Sequence, residues 1–352
     1  MTATVVTPVT ILTGFLGSGK TTLLNRLLRD PGAADTAVIV NEFGPVAIDH
    51  ALVRTASENV VLLPSGCVCC QVAGDLVQAL RNLYFKRANG EVPPFRRAIV
   101  ETTGLADPAP LLRTLVELPL VSARYSLAGV VTTVDGERGL AQLESHPEAL
   151  KQAAIADRLV VTKADLASAS VLEELDARLD SLNPGAGRVR ATAGAVEAAW
   201  LLDTGLLRGP ERRADPVSWL NAGAYRRAGA AEPSRHDPRI RAFAWWGGEA
   251  DSIDDVEDGI DTLLAMAGER VLRLKGLVGV RGAPGPVAVH AVQHTLYPPA
   301  RLAAWPDADR RSRFVVIARD LEEALPAQIF DSFAPASACA PAAALPAGAH
   351  PR

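Results

Sequence analysis

Gly14-Phe15-Leu16-Gly17-Ser18-Gly19-Lys20-Thr21 is the stretch on which the fold of this chain turns. It matches GxxxxGK[ST], follows the β-branched run Val9 to Thr13 and opens a helical pattern, the setting in which a phosphate-binding loop works. Glycines let backbone N–H groups turn inward around a β-phosphate, a lysine places a cation between the β- and γ-phosphates, and a threonine hydroxyl offers a hard oxygen to Mg²⁺. Gly14, Gly17, Ser18, Gly19, Lys20, Thr21 and Thr22 are therefore expected to bind nucleotide phosphates, with Lys20 and Thr21 serving catalysis.

Outward from this loop, short apolar runs alternate with helical patterns: Ala37 to Val40, Ala98 to Val100, Gly129 to Val134 and Arg158 to Thr162 read as strands, Leu105 to Glu117 and Ala141 to Ala156 as helices. Such alternation predicts an α/β P-loop domain with a mostly parallel sheet over residues 1–205. Asn183-Pro184-Gly185 marks a stop, and 206–238, rich in Gly, Ala, Arg and Pro, reads as a linker or a loosely packed excursion. A smaller α+β domain is expected over 239–330: strand Ile240 to Trp246, helix Ile253 to Met266, strands Val271 to Val280, Pro286 to Leu296 and Arg313 to Ala318, then a closing helix from Leu321. The Ala/Pro-rich tail 331–352 offers no apolar face and is expected to be disordered.

Composition sets outer limits. A length of 352 residues suffices for two cores, and a formal net charge of −4 supplies no basic field for nucleic acid. No apolar run is long enough to span a bilayer and the N-terminus lacks a signal-peptide pattern, so no membrane partner and a cytoplasmic location are expected.

Val160-Val161-Thr162-Lys163-Ala164-Asp165 ends a strand in TKxD. A carboxylate there accepts from the N1–H and exocyclic amine of guanine, and a lysine stem covers the ring, so Lys163 and Asp165 are read as the base readers. The chain holds five lysines against 31 arginines, and two of the five occupy these motifs. Glu101, closing the run Ala98-Ile99-Val100, is placed to serve Mg²⁺ and catalysis, and Gly104 to offer its N–H to a γ-phosphate. Asn41 and Glu42, in Asn41-Glu42-Phe43-Gly44, form a candidate switch contacting the nucleotide. Cys67, Cys69 and Cys70 are three of the four cysteines within one tetrapeptide, a donor set for a soft ion such as zinc or cobalt. A dithiol redox centre is the competing reading of the same cysteines.

In this order GFLGSGKTT, NEFG, SGCVCC, ETTGLADP and TKADL resemble the CobW-like SIMIBI-class GTPases, and Lys275 to Val278 (KGLV) with the strands of 240–320 look like that family's C-terminal domain. The resemblance implies a GTPase that binds zinc or cobalt at CxCC and delivers it to a client protein, with GTP hydrolysis as the gate. Many relatives carry a His-rich stretch; here the nearest approach is His290 and His294, expected on one face of one strand. No arginine finger or catalytic glutamine is evident in cis, so a client or a second copy in a homodimer would complete the hydrolytic site. Two other readings share these residues: a P-loop kinase or ATP-dependent synthetase with a structural CxCC, and a non-catalytic metal-storage or interaction module.

Overall fold

The computed structural model describes residues 6–40, 60–62, 69–203, 216–229 and 240–335. Its first sheet has seven strands, β1 (Thr7–Gly14), β2 (Thr36–Val40), β3 (Val60–Leu62), β4 (Arg97–Glu101), β5 (Tyr125–Asp135), β6 (Arg158–Thr162) and β7 (Gly187–Arg190), in the order β3-β2-β4-β1-β5-β6-β7. All neighbours pair in parallel.

A parallel sheet covered on both faces needs strands that are apolar on both sides, with successive residues serving opposite layers. Val9 and Ile11, Ala37 and Ile39, Ala98 and Val100, and Leu159 and Val161 face one layer. Leu12, Val38, Val40, Ile99 and Val160 face the other. The second layer is covered by α1 (Lys20–Leu27), through Leu23, Leu24 and Leu27. The first is covered by α2 (Cys69–Ala88), α3 (Ala109–Glu117), the short α4 (Pro119–Ser122), α5 (Gly139–Ser145), α6 (Pro147–Ala154) and α7 (Ala169–Leu182). In α7 the Ser168 hydroxyl caps the first turn, and Leu172, Leu175, Leu179 and Leu182 recur at helical spacing as its buried face. Asn183 ends it, its Nδ2 lying within 3.0 Å of the carbonyl oxygens of Ala153, Ala154 and Ala156 at the end of α6.

Two expectations need correction here, and β7 is not among the expected strands. The segment 141–156 is two helices, because Pro147 forces His146 into extended backbone (φ −126°) between them. The strand β7 carries too little apolar signal to be read from sequence. The stretch 206–238 holds α9 (Pro216–Leu220) and α10 (Ala222–Gly229), after α8 (Ala198–Leu202) at the end of the first domain. Leu220 and Tyr225 are buried, so these two helices are part of the packed structure.

The second domain is an antiparallel sheet of β8 (Ile240–Gly247), β9 (Val271–Val278), β10 (Val287–Val292), β11 (Thr295–Leu296) and β13 (Ser312–Arg319) in the order β11-β10-β9-β13-β8, with β12 (Ala300–Arg301) beside β10. The helices α11 (Ile253–Ala267) and α12 (Ala324–Phe333) cover one face over Phe243, Val271, Leu274, Phe314 and Val316. The opposite face, with Leu272, Leu277, Ala288, Val315 and Ile317, joins the core of the first domain directly. The expected tail boundary moves: 331–333 finish α12 and Ala334 is buried, while 336–352 lie outside the described residues. His290 and His294 do not share a strand, because Gln293 (φ +48°) turns the chain from β10 into β11.

Charged groups seal the junction. Asp157, at the foot of β6, accepts from Arg273 Nη2 and from Lys275 Nζ at 2.9 Å, and all three side chains are buried. Burial alone would raise the Asp157 carboxyl, but the Arg273 and Lys275 charges hold it well below the usual carboxylate range. Burial, with the Arg273 charge beside it, lowers Lys275 to about 8.

Candidate functional site

Strand order reverses at β1, where connections leave to both sides, so a crevice opens at the carboxyl ends of β4, β1 and β5. The loop 14–19 crosses it. Gly14 (φ +142°) packs so closely on β5 that a Cβ there would stand 2.2 Å from Thr133 Oγ1. Ser18 Oγ lies 2.6 Å from the same hydroxyl, and Gly17 and Gly19 adopt left-handed backbone on either side of Ser18. Gly19 caps α1, so the helix N-terminus faces the loop.

Lys20 is buried, its Nζ donating to the carbonyls of Gly14 (2.8 Å) and Phe15 (3.1 Å). Thr21 Oγ1 donates to Glu101 Oε1 at 3.0 Å, joining α1 to the end of β4. Thr22 is exposed on α1. These two oxygens are hard donors of the kind Mg²⁺ takes beside phosphate, so Thr21 and Glu101 fit that ion. After Glu101, Gly104 passes against the loop, where a Cβ would come 2.7 Å from the Leu16 nitrogen. Its carbonyl, with that of Ala106, is held by the buried Gln152 Nε2 at 3.1 and 3.0 Å. The second domain reaches the same loop, with Gln293 Nε2 3.5 Å from Asp107 Oδ2.

On the other side, Lys163 and Asp165 follow β6, Asp165 exposed and Lys163 half-buried in left-handed backbone (φ +52°). Lys163 Nζ donates to Asp135 Oδ2 at 2.7 Å. Burial would raise the Asp135 carboxyl, but the bond from Lys163 and the N–H groups of Arg138 and Glu137 bring it below its ordinary value. Sequence reasoning missed Asp135 and Gln152. The run Thr132-Thr133-Val134-Asp135 is the same shape of signal as Ile99-Val100-Glu101, a buried strand ending in a carboxylate, whereas Gln152 sits within a helix and carries no local signal.

Asn41, Glu42 and Cys67 lie outside the described residues, as do the side chains of Cys69 and Cys70, the first two residues of α2. Among the described residues no group of three His, Cys, Asp or Glu side chains is placed to hold a metal ion, and no helix is long and apolar enough to cross a membrane.

The family model described as CobW/HypB/UreG, nucleotide-binding domain matches residues 8–190, and that of the cobalamin synthesis protein CobW C-terminal domain matches residues 252–334. The zinc chaperone YjiA of Escherichia coli K12 is 31% identical over 325 residues, covering 90% of this chain and 95% of that protein. The zinc chaperone CobW of a Sinorhizobium species is 30% identical, covering 90% of this chain and 94% of its own length. The crystal structure of Zn(II)-bound YjiA GTPase from E. coli superposes with a TM-score of 0.67 at 26% identity, covering 93% of this chain and 99% of that one.

Proposed function

We propose, from the premise that this chain belongs to the CobW/HypB/UreG family and carries a CobW C-terminal domain, that it is a metallochaperone whose zinc cargo is loaded and released under control of GTP hydrolysis. The observation that carries the reading is the hydrogen bond between Thr21 Oγ1 and Glu101 Oε1, 3.0 Å long, at the mouth of a loop that already holds Lys20 buried. Mg²⁺ supplies charge neutralisation to the triphosphate when held by Thr21 and Glu101. Lys20, which donates to two carbonyl oxygens, finds equivalent acceptors in phosphate oxygens. Lys163 and Asp165 read guanine, while Asn41, Glu42 and Gly104 sense the γ-phosphate. Cys67, Cys69 and Cys70 offer three thiolates to zinc, or to cobalt, leaving one coordination position through which a client protein can take the ion. Support for zinc comes from the relatives, two of which are named zinc chaperones. A client, or a second copy of this chain, would supply the group that accelerates hydrolysis.

The test uses the full chain loaded with zinc, given Mg²⁺ and either GTP or ATP, with phosphate release and zinc capture by a chromogenic chelator followed together. GTP should support both processes, and Lys20→Ala should release no phosphate while keeping its fold by circular dichroism. ATP outcompeting GTP would favour a kinase or synthetase, and zinc release indifferent to nucleotide would favour a storage protein.

A further inference from the structure

Asp135 stands at the end of β5, beside the corner that ends β6; two hydrogen bonds bind the two corners together, and two more hold the carboxylate within its own corner. Its Oδ2 accepts from Lys163 Nζ at 2.7 Å, while Oδ1 accepts the N–H groups of Glu137 (2.9 Å) and Arg138 (3.1 Å), which fixes the carboxylate plane. The next residue, Gly136, donates its N–H to the Thr162 carbonyl at 2.8 Å. A Cβ on Gly136 would stand 2.7 Å from that oxygen and 3.3 Å from the Lys163 carbonyl, so the approach needs glycine. Lys163 itself holds φ at +52°, a backbone state that L-residues with a long side chain seldom adopt without an external hold. Asp135 is buried and its partner Lys163 is half-exposed, so the ammonium is drawn inward and the stem is left along the open side of the corner.

We propose that Asp135 is a positioning residue for base recognition: by holding Lys163 it fixes the stem that covers the purine and the placement of Asp165 two residues on, and so sets the guanine preference of the site. The inference rests on the guanine reading of Lys163 and Asp165. Asp135 does not touch the nucleotide; its effect passes through Lys163. The ion pair is protected from solvent on the Asp135 side only, and loss of one charge-assisted hydrogen bond at such a position is expected to weaken binding about tenfold or more.

The experiment measures dissociation constants of GDP, IDP and ADP for the full-length wild type and for Asp135→Asn, which keeps the shape and can still accept both backbone N–H groups. IDP lacks the exocyclic amine, so the GDP/IDP ratio reports the placement of Asp165 alone. The expected result is an about tenfold or larger loss for GDP, a smaller one for IDP, and a GDP/IDP ratio that falls towards one. Lys163→Met, which keeps the stem and breaks the same pair from the other side, should lower the ratio too and serves if Asp135→Asn does not fold. Wild type binding ADP as tightly as GDP would remove the guanine reading. A wild type that prefers GDP, with variants that keep the ratio or lose all three nucleotides equally, would overturn the role of Asp135 alone.

Discussion

Thr162 Oγ1 donates to the Ser18 carbonyl oxygen at 2.7 Å, so the strand that leads into Lys163 and Asp165 and the loop 14–19 are joined through one buried hydroxyl. Replacing it by valine keeps the volume and leaves the Ser18 carbonyl without this donor, a change that costs about 1–3 kcal/mol. Thr162→Val should therefore unfold at lower denaturant and bind GTP and GDP more weakly by the same factor, as read by titration calorimetry. A loss confined to GTP would instead tie Thr162 to the γ-phosphate.

Asp165 is exposed beyond β6, where it is free to meet a base. Asp165→Asn should weaken GTP binding and shift preference towards xanthine nucleotides, because an amide donates to the oxygen of xanthine where the carboxylate accepted from guanine. Unchanged GTP affinity in competition binding would remove Asp165 from the base site.

Cys69 and Cys70 open α2, between the Asn41–Gly44 segment and the loop after Glu101 in sequence, so metal and nucleotide affinities are expected to be linked. A coupling of about 1–3 kcal/mol, or about 5- to 150-fold, should separate the zinc affinities of the GTP-analogue and GDP forms, with zinc shifting nucleotide preference by the same factor. Cys69→Ser should weaken both zinc constants in a competition assay with a chromogenic chelator. Equal zinc constants in the two nucleotide states would sink the gate.

Asp157 is the counter-charge of the domain junction. Asp157→Asn leaves Arg273 and Lys275 buried against a neutral amide and should cost about 3–5 kcal/mol at pH 7. The Asp157 carboxyl lies lower in the folded than in the unfolded chain. Its contribution is thus complete above about pH 4, the unfolded value, and is lost as pH falls towards the folded one. Wild type should lose stability through that acid window while Asp157→Asn shows a flatter limb; parallel acid limbs in urea titrations at several pH values would contradict this. Lys275 gives a slope of the same sign in an alkaline window, since between about 8 and 10.5 the unfolded chain holds the more protons and stability should again rise with pH.

Much of this was legible because the signals are local. Val9 to Thr13 and the glycines after it state a strand, a tight turn and a helix start within a dozen residues, and Arg158 to Thr162 reads as a strand to the residue. What escaped reading depends on distance along the chain. Asp135 gains its meaning from Lys163, Gln152 from Gly104, and α9 and α10 from a surface that exists only once β9 and β6 have met. The break at Pro147 and the turn at Gln293 were misread for a different reason, since an apolar pattern running through both positions hides a backbone requirement of one residue.

The apolar faces that join the two sheets give the molecule an indivisibility that its sequence motifs conceal. Leu272, Leu277, Ala288, Val315 and Ile317 belong to the core shared with the first domain, so a C-terminal domain expressed alone would present them to water as a sticky slab. Cleavage within 230–239, between α10 and β8, should accordingly yield fragments that stay associated through their shared core, behaving as a complementing pair rather than as two independent proteins.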